Sequence, residues 1–349
     1  MKSTIKSFKY LTPFVLYVLS LAAFNGHGFI CWSPLLYTFF LIPFLELFIK
    51  ADPSNLDEVE EALVKKNKAY DFILYAAVVM QYYSLWVFFH SLQQPTLSNW
   101  DITGRVISMG LLCATFGINV AHELGHRVNK MEQTFAKLLL LTSLYMHFFI
   151  EHNKGHHKNV ATPNDPSTAK YKQSVYAFWV QTVIGTYVSA WEITNDALLK
   201  KGKSWWSLEN EMLLFQIIQL LFVGGIFYFF GGMIAGLFIL AALMGGLLLE
   251  TVNYIEHYGL SRQQTGDEQY ERVQPHHSWN SNHIIGRLML FELSRHSDHH
   301  YLASRKYQIL RSFDDAPQMP TGYPGMILLS LFPPLWFKVM HQQIKKYKL

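Results

Sequence analysis

Nine of the sixteen histidines stand in four groups whose spacing suits metal ligation. His122-Glu123-Leu124-Gly125-His126 puts two imidazoles at i and i+4, on one helix face, where both can reach one ion. Glu151-His152-Asn153-Lys154-Gly155-His156-His157 repeats that spacing and adds a histidine at i+5. Arg295-His296-Ser297-Asp298-His299-His300 offers i, i+3 and i+4, and His257 follows Glu256 as a fourth position. A catalytic zinc takes three protein ligands, so nine suit two metals with four or five ligands each. Imidazole serves iron, copper, zinc and nickel alike, so the residues specify a two-metal, redox-capable site without naming the element. Glu123, Glu151, Glu256 and Asp298 stand beside these histidines, placed to accept the second ring N–H and fix the tautomer, or to ligate directly. HELGH is also a zinc-protease signature, with Glu123 as base, but that reading leaves seven clustered histidines unexplained. A metal transporter would line a path through the membrane, whereas these ligands gather at one face. His276, His277 and His283 lie in a stretch dense in hydrogen-bonding groups and suggest a polar lid or a brace for the ligands. His147 suits a satisfied core histidine, and His27, His90 and His341 have no company.

Histidines so far apart in sequence share a metal only if helices bring them together. The chain has 349 residues, 50% hydrophobic and 15% charged, with a mean hydropathy of +0.12. Soluble domains carry about 25% charged residues, so this composition points to lipid. A net charge of +4 lacks the basic bias of a nucleic-acid binder. Two cysteines in apolar stretches, with no C-x-x-C pair, exclude a disulfide framework and an iron–sulfur site. Uncharged runs predict spans at about 10–24, 29–48, 70–90, 105–121, 212–230 and 233–250, in one all-α polytopic membrane domain over 1–349. Segment 138–150 is too short to cross and predicts a buried or interfacial helix. Residues 173–191 carry a polar stripe, Ser174, Gln181, Gly185 and Ser189, and predict an amphipathic helix on the membrane surface. Pro333-Pro334 breaks 323–337, which predicts an interfacial segment. Of the 29 Lys and Arg only Arg105 falls in the loops assigned outside, so both termini and every histidine cluster are expected in the cytoplasm. The first apolar segment runs into a second without an A-x-A-like cleavage site, so no signal peptide is expected. Aromatic residues of the second and third spans, Phe39, Tyr83 and Trp86 among them, are candidates to line a channel for an apolar molecule from the bilayer.

The stretches NVAHELGHR (119–127), FFIEHNKGHH (148–157) with ATPNDPST (161–168), NYIEHYGL (253–260), PHHSWNSNH (275–283) and LSRHSDHH (293–300) resemble the motifs of the integral-membrane alkane 1-monooxygenases. These belong to the histidine-rich membrane di-iron group that includes the fatty acid desaturases. The resemblance covers nearly the whole chain, including Leu310-Arg311 and Pro320-Thr321-Gly322-Tyr323-Pro324. It implies six spans in the cell's inner membrane, two iron ions, O2 as oxidant, and terminal hydroxylation of medium-to-long-chain n-alkanes with electrons from rubredoxin and its reductase. Carried over residue by residue, the ligands are His122, His126, His152, His156, His157, His257, His296, His299 and His300, the nine that spacing selects. Asp165, Asn280 and His283 join the carboxylates as groups expected to brace them. Ser294 stands where Gln is expected before Arg-His, and Tyr301-Leu302 replaces a small-residue/His-Pro sequence. Neither removes a ligand, so they bear on substrate preference or packing. The family's length gate on the second span, aligned on Pro43, falls at Thr38, whose small size implies a long tunnel. A fatty acid, sterol or alkyl-aromatic is the alternative substrate. With no C-x-x-C pair the electron donor is a separate protein, expected to dock electrostatically on a basic face that includes Lys154 and Lys158.

Overall fold

A computed structural model of the chain describes residues 2–267 and 269–347. The described residues are helical or irregular apart from a short hairpin pairing Gln264–Gly266 with Gln269–Tyr270. Among them, six helices are long and apolar enough to cross a membrane: Thr4–Asn25, Gly28–Glu46, Ala69–Ser91, Asn99–Gly125, Glu211–Phe230 and Gly232–His257. The chain is a multi-pass membrane protein.

Charge misplaces three span limits, and the first span starts at Thr4, ahead of Lys6 and Lys9, rather than near 10. The fourth span starts at Asn99 rather than near 105, capped by Ser98, whose Oγ accepts from the Asp101 N–H at 3.1 Å. Arg105, expected in a loop, is fully buried in that helix and donates to the carbonyls of Ser91 (2.7 Å) and Gly26 (2.8 Å). The sixth span does not stop at Glu250 but runs to His257. Tyr145 Oη, Thr182 Oγ1 and Asn253 Nδ2 donate to the Glu250 carboxylate at 2.7, 2.6 and 3.0 Å, so its polar atoms are met inside the protein.

The fourth and sixth spans lie against each other, separated by small residues. A Cβ on Gly245 would come within 2.6 Å of Cys113 Cβ, and one on Gly110 within 2.7 Å of Met244 Sδ. Just before the first histidine cluster the fourth span widens into a π-turn at Cys113–Ile118, where the Asn119 N–H bonds the Ala114 carbonyl. The added residue rotates the last turns of the span by about 100° relative to an unbroken α-helix.

The single helix expected over 138–150 is two pieces, Lys130–Leu141 and Phe148–Glu151. Leu144 between them has φ +50°, and the Thr142 and Ser143 hydroxyls bond the carbonyls of Leu139 (2.6 Å) and Cys113 (3.1 Å), which makes the break satisfiable inside the protein. The helix over 173–191 extends from Val175 to Leu199 and is not among the six spans. It buries Phe178, Thr182, Thr186 and Ala190 and turns Tyr176, Val180 and Ile184 outward. Its stripe residues Gln181, Gly185 and Ser189 line a polar cleft beside the second histidine cluster. The segment after 322 forms two helices, Tyr323–Ser330 and Pro333–Tyr347, with Pro333 at the first position of the second, where a missing N–H costs nothing.

Candidate metal centre

His122 and His126 sit at the end of the fourth span and His257 is the last residue of the sixth. His152 to His157 follow the short helix Phe148–Glu151, and the third cluster forms the helix His296–Tyr301. The fold gathers all nine rings into two adjoining sets: His122, His126, His152, His157 and His299, and then His156, His257, His296 and His300. Seven of the nine are buried, His126 and His157 half-buried. In the first set His299 Nε2 lies 2.8 Å from His122 Nε2 and 3.1 Å from His157 Nε2. His152 Nε2 lies 3.0 Å from His157 Nε2 and 3.2 Å from His126 Nε2. In the second set His296 Nε2 lies 3.1 Å from His257 Nε2 and 2.9 Å from His300 Nε2. The two sets touch where the rings of His157 and His300 come within 4.5 Å.

Two nitrogens bound at right angles to one metal, each about 2.0–2.1 Å away, are about 3 Å apart. Five inward-facing Nε2 atoms cannot all be met by sharing protons with one another. His156 shows the fit most directly. It is 1% exposed, its Nδ1 lies 3.0 Å from Asp165 Oδ2, and its Nε2 has no partner. A ring fixed on one nitrogen and bare on the other, inside a nest of imidazoles, has the donor arrangement of a metal ligand. Burial pushes His126 down to about 3 and holds His152, His157, His296, His299 and His300 well below the ordinary value, which favours the neutral form that binds metal. At His156 burial acts the same way but is outweighed by Asp165, Glu151 and Glu250, so its value is raised.

The second cluster departs from α-helical reasoning. Spacing of i, i+4 pairs His152 with His156, yet the fold puts His152 with His157 and sends His156 to the other set. His152–His156 is a π-turn, and the His157 N–H bonds the His152 carbonyl. An i→i+5 turn brings residue i+5 back over residue i and leaves i+4 on the adjacent flank. Gly155 lets the turn close, since a Cβ there would lie 2.5 Å from Glu151 Oε1 and 3.2 Å from Ile193 Cδ1.

The carboxylates divide. Asp165 holds His156 and itself accepts from Thr168 Oγ1 at 2.5 Å and the Ser167 N–H at 3.0 Å. Glu256 Oε1 lies 3.2 Å from His296 Nδ1 and accepts from Tyr323 Oη at 2.7 Å. Glu123, Glu151 and Asp298, expected beside a ring N–H, are used otherwise. Glu123 pairs with Arg127 and accepts from the Tyr307 N–H at 3.2 Å. Glu151 is buried near Ser189 Oγ (3.4 Å), and burial and Asp165 raise its carboxyl. Asp298 accepts from Arg305 Nη1 and the Arg311 N–H, both at 2.8 Å. Each follows or precedes a ligand in a helix, where adjacent residues point apart. Asn280 braces the third cluster through Ser297, taking its N–H at 2.8 Å and donating to its Oγ at 2.6 Å. His283 contacts Ser281 and no ligand. His277 Nε2 lies 3.2 Å from Glu271, beside His276, but its Nδ1 accepts the Gln274 N–H, which leaves the proton on Nε2 and closes that nitrogen to a metal.

Comparison with known proteins gives the family. Residues 98–330 match the fatty acid desaturase family. Alkane 1-monooxygenase 2 of Pseudomonas aeruginosa is 39% identical over 324 residues, 90% of this chain and 84% of that protein. Alkane 1-monooxygenase of Ectopseudomonas oleovorans is 38% identical over 318 residues, 91% of this chain and 79% of that protein. The chain belongs to the alkane 1-monooxygenase family. The xylene/toluene monooxygenase hydroxylase component of Pseudomonas putida is a more distant relative, 31% identical over 241 residues, 69% of this chain and 63% of that protein.

In this alkane 1-monooxygenase family member an apolar cavity of ≈ 70 Å³ is lined by Thr38, Phe39, Asn119, Val252, Met289 and Leu293. Asn119, Val252 and Leu293 stand three, five and three residues before His122, His257 and His296 in the chain, and Asn119 Nδ2 is consumed by the Leu290 carbonyl at 3.1 Å. Phe39, Leu248 and Ile327 separate this cavity from an apolar groove of ≈ 580 Å³ on the lipid side of the sixth span. Tyr83 and Trp86, expected at a channel, line neither space. They stack on the outer face of the third span, 49% and 56% exposed. Sequence reading missed Leu248, Val252 and Leu293, of which only Val252 and Leu293 stand within five residues of a candidate ligand.

Proposed function

We propose that the chain is a di-iron alkane 1-monooxygenase that hydroxylates the terminal carbon of medium-to-long-chain n-alkanes with O2 and electrons from rubredoxin. The observation that carries this reading is the division of nine imidazoles into adjoining sets of five and four, together with the apolar cavity. Two irons held by these sets would activate O2 for attack on an unactivated C–H bond, which no side chain can break. The remaining tasks fall to the protein. Asp165 holds the ring of His156 with Nε2 turned inward, and Glu256 lies 3.2 Å from His296 Nδ1. The lipid-side groove takes up an alkyl chain from the bilayer, and the space between Thr38 and Leu293 directs its end toward the histidines. Neither lining contains a charged side chain, so binding rests on burial, about 0.8 kcal/mol per methylene. Rubredoxin, kept reduced by its reductase, docks from the cytoplasm, where the Lys and Arg bias puts both termini and the histidines of this inner-membrane protein.

Iron and zinc quantitation on the purified protein, followed by octane-to-hexadecane turnover with a rubredoxin system, tests the reading. Two irons and 1-alkanol formation are expected. One zinc with peptidase activity would overturn it, and oxidation of methyl-aromatics alone would move the substrate to the class named for the xylene/toluene relative.

A further inference from the structure

A third space, ≈ 300 Å³, lies between the fifth and sixth spans, the helix Val175–Leu199 and the break after Leu141. Its outer walls are apolar, and Ile239 and Leu243 are 43% and 51% exposed on the lipid side. Two of its polar groups are not met. His147, 6% exposed, lines it with an Nε2 that has no partner, and Gln216 lines it with a buried, unpartnered Nε2. His147 belongs to neither set of metal-facing rings, and Tyr145 and Tyr187 fix its plane at ring distances of 4.3 and 5.5 Å. A polar atom left unmet within a bilayer is costly, so two lining one cavity point to a ligand with a hydrogen-bonding group.

The chemistry of the lining narrows that ligand. No Lys, Arg, Asp or Glu faces the cavity, and burial pushes His147 down to about 4, so it is neutral near pH 7. A carboxylate or phosphate would find no opposite charge there, whereas a hydroxyl both donates and accepts. Gln216 lies five residues inside the fifth span, about 7.5 Å along its axis, below the level of lipid headgroups. The cavity shares Leu243 and Leu247 with the ≈ 580 Å³ apolar groove, which extends the site for a long chain.

We propose that this cavity binds a long-chain primary alcohol, with the hydroxyl at His147 and Gln216 and the chain crossing Leu243 and Leu247 into the outer groove. That the alcohol is the enzyme's own product rests on the function proposed above; the site does not. An alcohol so bound occupies the groove by which alkane arrives, and so slows uptake of further substrate.

The test is photolabelling of the metal-loaded protein in phospholipid nanodiscs with dodecan-1-ol carrying a chain-terminal diazirine, read by peptide mapping. Adducts are expected on segments lining the outer groove, suppressed by 1-dodecanol at about tenfold lower concentration than by dodecane, which shares the groove but not the hydroxyl contacts, and not by dodecanoate. Separate His147→Phe and Gln216→Leu exchanges are each expected to weaken labelling by about tenfold, the loss of one hydrogen bond. Equal suppression by dodecane would reduce the site to an apolar surface, and equal suppression by dodecanoate would overturn a neutral head. Adducts confined to the Met289–Leu293 segment would put the alcohol in the inner cavity instead. The competition is run on the unaltered chain, so it stands whether or not the variants fold. Iron content and alkane hydroxylation are measured on the same sample. Alcohol labelling without hydroxylation sinks the function and spares the site, and hydroxylation without specific labelling does the reverse.

Discussion

His156 and His157 are neighbours whose rings face different sets, and each set loses a donor when its member is removed. His156→Ala or His257→Ala is expected to lower iron from about two to about one per chain, and His122→Ala to do the same from the other set, each abolishing hydroxylation. Plasma mass spectrometry on the purified variants checks this, and full iron retention in any of them would remove that residue from the ligands. Asp165→Asn keeps the shape of the side chain but weakens its hold on the His156 Nδ1 proton. Metal affinity is expected to fall about 10–100-fold, measured by chelator competition. Glu123→Gln alters an ion pair with Arg127 rather than a contact with a ring, so its effect on metal affinity is expected to be smaller than that of Asp165→Asn.

At the scale of elements, the π-turn at His152–His156 sorts the second cluster between the two sets, and one residue of length makes the difference. Deleting Asn153 shortens the His152–His157 spacing to i+4 and turns His156 off its present flank. The variant is expected to reach the membrane in normal amount yet hold at most about half the iron of the parent, about one ion or fewer. Unchanged iron would mean that the segment re-forms its geometry without the extra residue. On the second span, Thr38 lines the small inner cavity. Thr38→Trp fills that space and should move the preferred substrate toward shorter chains. At about 0.8 kcal/mol for each methylene displaced, losing room for several shifts the octane-to-hexadecane turnover ratio by more than about tenfold. An unchanged profile with unchanged iron would place the length limit elsewhere in the groove.

For the molecule as a whole, the sides of the membrane differ in charge. Single cysteines in 92–97 are expected to react with an impermeant maleimide only from outside, and those in 200–210 only from the cytoplasm. Labelling of 200–210 from outside would make Val175–Leu199 a span and put the two sides of the histidine centre in conflict. Lys154 and Lys158 are exposed beside the second cluster, and the cleft that they border also carries Glu192 and Asp196. Docking of an acidic donor on this side is expected to weaken as ionic strength rises. Reduction rates in stopped flow between 0.02 and 0.5 M salt, a range over which the Debye length falls from about 20 Å to about 4 Å, give the check.

The gathering of eight of the nine histidines was legible because they stand at short local spacings, with His257 alone beside Glu256, and six spans because crossing a bilayer takes a minimum length of apolar helix. What local spacing leaves open is which faces meet. The sorting of His156 from His157 depends on one backbone hydrogen bond that no residue type announces. Glu250 marked the end of a span by its charge, but three donors from 145, 182 and 253 let the helix pass through it. Tyr83 and Trp86 had the composition of a channel wall and turned to lipid, while the plain aliphatics Leu248, Val252 and Leu293 took that position. His147, whose type and surroundings suited a core residue, faces a cavity with a free nitrogen. Residue type and spacing determine what each segment can do on its own. Packing decides what it does here, because burial and partnership belong to pairs of segments far apart in the chain, as at His122 and His299, 177 residues apart, and to no segment alone.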